Sequence, residues 1–418
     1  MNAKTLLPSK AFAGGPLLWS HSSLTCGGIE RQIIHTAKEL SREKVEIDLL
    51  CDSLSPSEGK DFFLTDCLPY FQSIKTIDQL PEDIIEELMP LLVKIPFSIC
   101  WLPEGKQNAF LRYTLWMLHV RPRLVHVWHG DFPLRALAAC VAGVPKVLLS
   151  GRAMSTRWRQ PYGMEGPDPE ETYAIYKLAL QYPALVLTNN SSAGKTDYAH
   201  WLGLNESAIY LTHNIAQTPD ASLDDAIEFR KKYDIADNTK LIGGAFRFTP
   251  MKDPVLWIKT IAEVVERREG VMGVLWGDGP LYDTCRLMVI QKGLQDKILL
   301  PGKDKDWTKT MLAYDVFLLS SQVEGLPNVV LEAQALGVPV VSTNAGGVAD
   351  IIMDGHTGWV LRSRKPEIIS EKLLFVLDNE EWRNKAAKLA SKHIARNFSA
   401  QNHMKVLKEI YGDSLYLR

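Results

Sequence analysis

The feature that most constrains this 418-residue chain is an alternation that begins near residue 240. Short apolar, β-rich runs lie at 240–246, 271–276, 297–300, 315–319, 339–342 and 358–361. Between them lie amphipathic stretches of helical length at 253–268, 280–292, 306–313, 327–337 and 347–353. Strands that are apolar throughout belong to a parallel sheet buried on both faces, and the helices between them are the crossovers that cover it. The first part repeats the scheme more loosely, with runs at 16–21, 45–51, 124–128, 146–150, 185–188 and 209–212. The expected fold is α/β, with two doubly wound, Rossmann-like sheets joined through the polar segment 214–239. We assign 1–217 to a first domain, 218–398 to a second and 399–418 to a closing helix. Its stretch Gln401–Tyr411 carries an apolar stripe that needs a surface, the first domain being a candidate. Ligands of such sheets bind beyond the carboxyl ends of the strands, so the cleft between two of them is the default site.

A formal charge of -2 argues against a protein that coats a polyanion. No apolar run reaches the ~18 residues of a membrane-spanning helix. The opening stretch has lysines at 4 and 10 but no continuous apolar core, so no secretory signal is expected. Six scattered cysteines without a CxxC pair read as free thiols, most of them buried, in a reducing compartment. The expected location is the cytoplasm. The mixed aromatic, aliphatic and basic segment 107–123, with the run Leu88–Trp101, reads first as packing inside the first domain; peripheral contact with the inner face of a membrane stays open.

The chemistry concentrates in Ser320–Ala333, which follows the run 315–319 and enters a helix at about Pro327. Proline suits a first helical position, and the free N–H groups of that turn, with the helix dipole, seat a phosphate. Glu324 in the loop and Glu332 in the second turn would repel an anion. They need another purpose, and a carboxylate can accept both hydroxyls of a cis-diol. Together these features point to a nucleotide-sugar, with its phosphates on the helix end and one glutamate on each flanking sugar. Taken singly, the two glutamates would be ordinary loop and helix-surface residues.

The frame Glu324-Gly325-Leu326-Pro327-Asn328…Glu332 resembles the motif of the family-4 retaining glycosyltransferases, which have the GT-B fold of two facing Rossmann-like domains. Gly244–Asp253 resembles the family segment whose arginine and lysine, here Arg247 and Lys252, grip the donor diphosphate. Leu275-Trp-Gly277-Asp-Gly279 resembles its G-x-G turn, and Leu300-Pro-Gly302 the turn near the donor base. Gly337–Thr343, Gly346-Gly347 and Gly355–Val360 continue the match. In the first domain, Cys26-Gly27-Gly28-Ile-Glu30 resembles the Gly-Gly loop that approaches donor phosphate and acceptor, and His126–Gly130 a strand-end H-x-H-G stretch. Arg152 stands where many members carry a histidine near the reacting sugar; an arginine there could pair with a phosphate or an acidic acceptor. Asn214 falls where the family often has an interdomain P-N-G-type turn, without its proline and glycine.

The resemblance implies a hexosyltransferase-type enzyme that moves a hexose or N-acetylhexosamine from a nucleotide-sugar, a UDP-sugar by family frequency. The acceptor would be a glycan or lipid-linked intermediate of polysaccharide biosynthesis. It implies front-side transfer with retention, in which a donor phosphate oxygen takes the acceptor proton and no covalent nucleophile is assigned. Arg247, Lys252 and the helix start would stabilise the leaving diphosphate, Glu324 the transferred sugar and Glu332 the ribose. Gly28, Gly277, Gly302, Gly325, Leu326, Pro327 and Asn328 complete the donor side; Gly27, His129 and Arg152 are acceptor-side candidates. Neither a cofactor nor a metal is expected. A UDP-sugar 2-epimerase, or a sensor that binds the nucleotide-sugar without transfer, would share the architecture.

Other motifs read more plainly. Asn189–Thr196 is like a P-loop but has Asn189 in place of its first glycine. Asp304-Lys-Asp306 is expected to be a solvated loop with a helix cap. His126, His129 and His213 lack zinc spacing, and His126 is expected to be a satisfied core histidine. Arg152, Arg157, Trp158 and Arg159, followed by the acidic loop 165–171, are either an acceptor-recognition cluster or a surface loop.

Overall fold

The computed structural model describes residues 4–158, 161 and 166–415. It divides into two compact units, 4–158 with 166–215 and 400–415, and 216–399. The first unit holds a seven-stranded parallel sheet: β1 (Leu17–His21), β2 (Ile47–Cys51), β3 (Ser73–Thr76), β4 (Leu124–Val127), β5 (Val147–Gly151), β6 (Leu185–Asn189) and β7 (Ile209–Leu211). Their spatial order is β3-β2-β1-β4-β5-β6-β7. The second unit holds six: β8 (Lys240–Ala245), β9 (Val271–Trp276), β10 (Ile298–Gly302), β11 (Val316–Leu319), β12 (Val340–Thr343) and β13 (Gly358–Leu361), in the order β10-β9-β8-β11-β12-β13. Two parallel, doubly wound Rossmann-like sheets is the architecture expected from the apolar runs.

The central strands explain the pattern. Every residue of β1, β4, β5, β11 and β12 is buried, because helices cover both faces and no strand position points to water. The edge strand β3, Ser-Ile-Lys-Thr, is partly exposed and was absent from the expected set; a short polar edge carries no apolar run. The stretch expected as a helix at 306–313 is a 3-10 turn, Trp307–Ala313.

Strand order reverses between β1 and β4 in the first sheet and between β8 and β11 in the second. At such a switch point the loops leaving adjacent strands diverge, which opens a crevice beyond their carboxyl ends. The loops after β8 and β11 carry Arg247, Lys252 and Glu324, and those after β1 and β4 carry Gly27 and His129.

The closing helix, Ala400–Tyr411, belongs to the first unit. Its Met404, Leu407, Ile410 and Tyr411 pack with Leu17, Trp19 and Ile33. The Tyr411 hydroxyl accepts from Trp19 Nε1 at 3.0 Å and lies 2.8 Å from His126 Nδ1, and His403 Nδ1–H donates to the His213 carbonyl at 2.7 Å. No helix among the described residues is long and apolar enough to cross a membrane. In the segment 107–123, Phe110, Tyr113 and Trp116 are buried on helix Glu104–Val120, while Met89, Val93 and Trp101 nearby are exposed.

Candidate active site

In the second unit the loops at the switch point are bonded to each other. Asp253 ends the first loop at φ +50°, a left-handed conformation that aspartate tolerates better than most residues. It caps helix Pro254–Arg267 through Oδ1, which accepts the Leu256 N–H at 3.0 Å. The Ser320 hydroxyl lies within hydrogen-bond reach of the Lys252 and Asp253 carbonyls, and Gln322 donates its N–H to the Met251 carbonyl at 2.7 Å. Arg364, just beyond β13, donates Nη1–H to the Ser321 carbonyl at 2.8 Å and Nη2–H to Ser320 at 2.9 Å. It also pairs with Asp253 at 2.7 Å. This arginine joins both loops, yet the sequence reading did not single it out. Its place directly after a strand end is the one local sign that could have marked it.

These contacts set Lys252 against Glu324: Nζ lies 2.6 and 2.7 Å from the two carboxylate oxygens, and Ser321 donates to Oε1 at 2.6 Å. Glu324 is 8% exposed and Glu332, on helix Asn328–Ala335, 6%. Burying a carboxylate requires such partners. A carboxylate offers about four acceptor sites, so the two Nζ contacts and the Ser321 hydroxyl leave capacity for a further hydroxyl. Pro327 is the cap rather than the first helical residue: its ψ of 115° is extended, and its carbonyl accepts the Val330 and Leu331 N–H groups. Gly325 and Leu326 are buried in front of it, and Asn328 opens the helix at the half-buried level. A Cβ at Gly277 would stand 2.0 Å from the Phe246 carbonyl oxygen at φ +130°, so only glycine fits beside the loop that carries Arg247. The Gly277 N–H donates to the Gly302 carbonyl at 2.8 Å, which ties the ends of β9 and β10 together. Arg247, Lys252, Glu324, Gly277 and Gly302 thus sit on neighbouring strand-end loops of one sheet.

In the first unit Gly27 is the extended cap of helix Gly28–Arg42. A Cβ there would meet Glu30 Oε2 at 2.3 Å. Glu30 is buried against His21 Nε2 at 3.3 Å and Thr25 Oγ1 at 2.8 Å. Burial raises its pKa, but the His21 contact and charge, the helix-start amide and Thr25 outweigh it and hold the carboxyl below its usual value. The Gly-Gly loop therefore wraps a protein carboxylate, an arrangement not visible in the two glycines alone. His129 is mostly buried, accepts the Asp131 N–H on Nδ1 at 3.1 Å and lies 3.7 Å from that carboxylate. His126 is a satisfied core histidine between Ser150 Oγ at 2.7 Å and the Tyr411 hydroxyl.

Arg152 follows β5 directly and is 8% exposed. Its guanidinium lies 4.6 Å over the Trp128 ring. It makes no ion pair among the described residues, and Nε and Nη2 are buried without a hydrogen-bond partner there. Burial lowers its pKa to about 9, which leaves it a cation at pH 7. The rest of the basic-aromatic cluster turns elsewhere: Arg157 and Trp158 both bond Asp197, whose other oxygen accepts the Ser155 N–H at 2.7 Å. Arg159 and Glu165 lie outside the described residues.

The remaining motifs have structural partners. Ser191 caps helix Ser192–Leu202 by accepting the Gly194 N–H, and the Asn189 amide fills the place where a Cβ on Gly194 would go. Asp304 accepts the Asp306 N–H at 2.8 Å, but Asp306 makes no side-chain capping bond. Among the described residues no group of three or more His, Cys, Asp or Glu side chains is placed to hold a metal ion. Asn190 Nδ2 donates to Asn214 Oδ1 at 3.3 Å, at the end of the first unit.

Residues 225–393 match the family model described as Glycosyl transferases group 1. The Vi polysaccharide biosynthesis protein VipC/TviE of Salmonella typhi is 29% identical over 374 residues, which are 85% of this chain and 63% of that protein. The chain thus spans less than two thirds of that relative's length. A D-inositol 3-phosphate glycosyltransferase of Corynebacterium efficiens is 25% identical over 410 residues, 93% of this chain and 91% of the relative. HepE of Anabaena, solved in complex with UDP and glucose, superposes with a TM-score of 0.72 at 17% identity, over 94% of this chain and 98% of that one. At that identity the likeness speaks to the fold alone.

Proposed function

We propose, from the premise that this chain is a group 1 glycosyltransferase of the GT-B type, that it transfers a hexose or N-acetylhexosamine from a nucleotide-sugar with retention of configuration. The observation that carries this reading is the second unit's switch point, where Lys252 pairs with buried Glu324 in the loop that leads into helix Asn328–Ala335, which carries buried Glu332, and Arg247 stands exposed on the neighbouring strand-end loop. Cations and helix N–H groups suit a diphosphate, and carboxylates with spare acceptor capacity suit sugar hydroxyls.

In the proposed reaction the acceptor hydroxyl oxygen bonds to the anomeric carbon on the face from which the nucleoside diphosphate departs. The bond from that carbon to the phosphate oxygen breaks, and a phosphate oxygen takes the hydroxyl proton. Charge builds on the leaving diphosphate, so Arg247, Lys252 and the helix start act by electrostatic stabilisation. Glu324 orients the transferred sugar while keeping Lys252 in place, and Glu332 holds the ribose. A UDP-sugar is the proposed donor, since HepE was solved with UDP and glucose. A glycan or lipid-linked acceptor is proposed from the polysaccharide-biosynthesis relative. The residues named here supply the charge compensation themselves, so the proposed transfer is metal-independent. The test is product NMR after incubation with UDP-sugars and a glycan acceptor panel in EDTA: an α-linkage from an α-donor is expected, and an inverted linkage would refute the mechanism.

A further inference from the structure

The first unit contains a cation, Arg152, with no counter-charge among the described residues. Strands β5 and β6 run side by side, with Gly151 opposite Asn189, so the residues that follow them, Arg152 and Asn190, emerge together. Asn190 Nδ2 donates to the Arg152 carbonyl at 3.3 Å, which fixes one against the other. Among the described residues, Arg152 Nε and Nη2, Thr156 Oγ1 and Asn190 Oδ1 are all buried without hydrogen-bond partners. Buried polar groups are ordinarily satisfied, and an unpaired buried guanidinium is among the most costly to leave so. The buried carboxylates nearby in sequence and fold are engaged elsewhere, Asp131 beside His129, Asp197 with Arg157 and Trp158, and Glu30 with His21 and Thr25.

We propose that Arg152 binds the carboxylate of an acidic sugar, so that the acceptor-side substrate of this enzyme is a uronic-acid-type saccharide. This rests on the glycosyltransferase reading and names the substrate class it leaves open. Nε and Nη2 form the side-on edge of a guanidinium, whose two parallel N–H groups match the two oxygens of a carboxylate. The Trp128 ring holds the guanidinium plane from one face, so the fork is preorganised. Charge count separates a carboxylate from a phosphate monoester. The titratable neighbours that share Arg152's field, His126 and His403, are buried and neutral at pH 7, His403 being held to about 4 by burial. Arg152 therefore brings one positive charge, which balances a carboxylate and leaves a phosphate dianion in excess. Asn190 Oδ1, on the side chain that bonds the Arg152 carbonyl, adds an acceptor suited to a sugar hydroxyl.

The test compares methyl glucuronide, methyl glucoside and methyl glucoside 6-phosphate as probes, titrated calorimetrically into the full chain saturated with UDP. The glucuronide is expected to bind tightest, by roughly tenfold or more over the neutral glucoside. Arg152→Gln should erase that preference, and Arg152→Lys should restore only part of it because the fork is lost. Equal binding of glucuronide and glucoside by the wild type, or binding of neither, overturns the inference, as does a preference that survives in Arg152→Gln. Tighter binding of the 6-phosphate overturns the choice of carboxylate. The UDP titration that precedes these runs reports separately on the second unit: failure there counts against the glycosyltransferase reading, whereas normal UDP binding without acid preference counts against this inference alone.

Discussion

The strand ends of the two units treat their charges in opposite ways. In the second unit, the strand-end loops neutralise themselves: Lys252 rests on Glu324, and Arg364 joins the Asp253 carboxylate of one loop to the Ser320 and Ser321 carbonyls of the other. In the first, Arg152 Nε and Nη2 are buried without hydrogen-bond partners among the described residues, and Thr156 and Asn190 are left with unpaired atoms. Loops tied to each other in this way are held in shape before any ligand arrives, which suits electrostatic stabilisation of a transition state. Unsatisfied buried groups instead lower the stability of the protein alone, a cost that natural chains accept where a function needs the group. The difference assigns a fixed shape to the loops of the proposed donor site and unfulfilled binding capacity to the strand end after β5.

The contrast can be broken by removing one cation from each region. Lys252→Ala withdraws a charge from the proposed diphosphate seat and leaves Glu324 buried with only Ser321. Turnover should fall on the order of 10²–10³, measured as kcat with saturating UDP-sugar. A variant with wild-type kcat would remove Lys252 from the chemistry.

Acid should act through the first unit. His403 has a folded pKa of about 4 against an ordinary value near 6.5, because burial disfavours its charged form. As pH falls through 6.5 the unfolded chain takes the proton first, so stability is full above that value and declines until about pH 4. One such histidine accounts for roughly 3 kcal/mol across that window. Denaturant melts at pH 7.5 and 4.5 should show the loss, and His403→Gln should shrink it. An equal loss in that variant would assign the acid sensitivity to other groups.

Arg364→Ala should cost about 1–3 kcal/mol, since three acceptors lose a charged donor at once. Arg152→Met should cost least, within roughly 1 kcal/mol of wild type or above it, because it removes an uncompensated buried charge while keeping contact with Trp128. Thermal melts of the two arginine variants check the contrast directly. If Arg152→Met were the more damaging, the first unit would have to be satisfying that guanidinium after all.

Much of this was legible in the sequence. The second unit's strands were readable because a doubly covered parallel strand must be apolar at every position, as in Val316–Leu319. Edge strand Ser73–Thr76 escaped because exposure removes that constraint. Arg247, Lys252, Glu324 and Glu332 stood out through local motifs. The pairing of Lys252 with Glu324, 72 residues apart, did not, because it depends on loops brought together by sheet order. Arg364 was hidden for the same reason. The start of helix Asn328–Ala335 was read one residue early, since φ suits proline in either place and only ψ separates cap from helix.

Whether UDP settles on the loops of the second sheet is best measured by hydrogen exchange on the full chain with and without the nucleotide. Slowed exchange is expected across 246–253 and 320–332, weakened in Glu332→Ala. UDP binding that leaves both segments unprotected, or no binding at all, would contradict it.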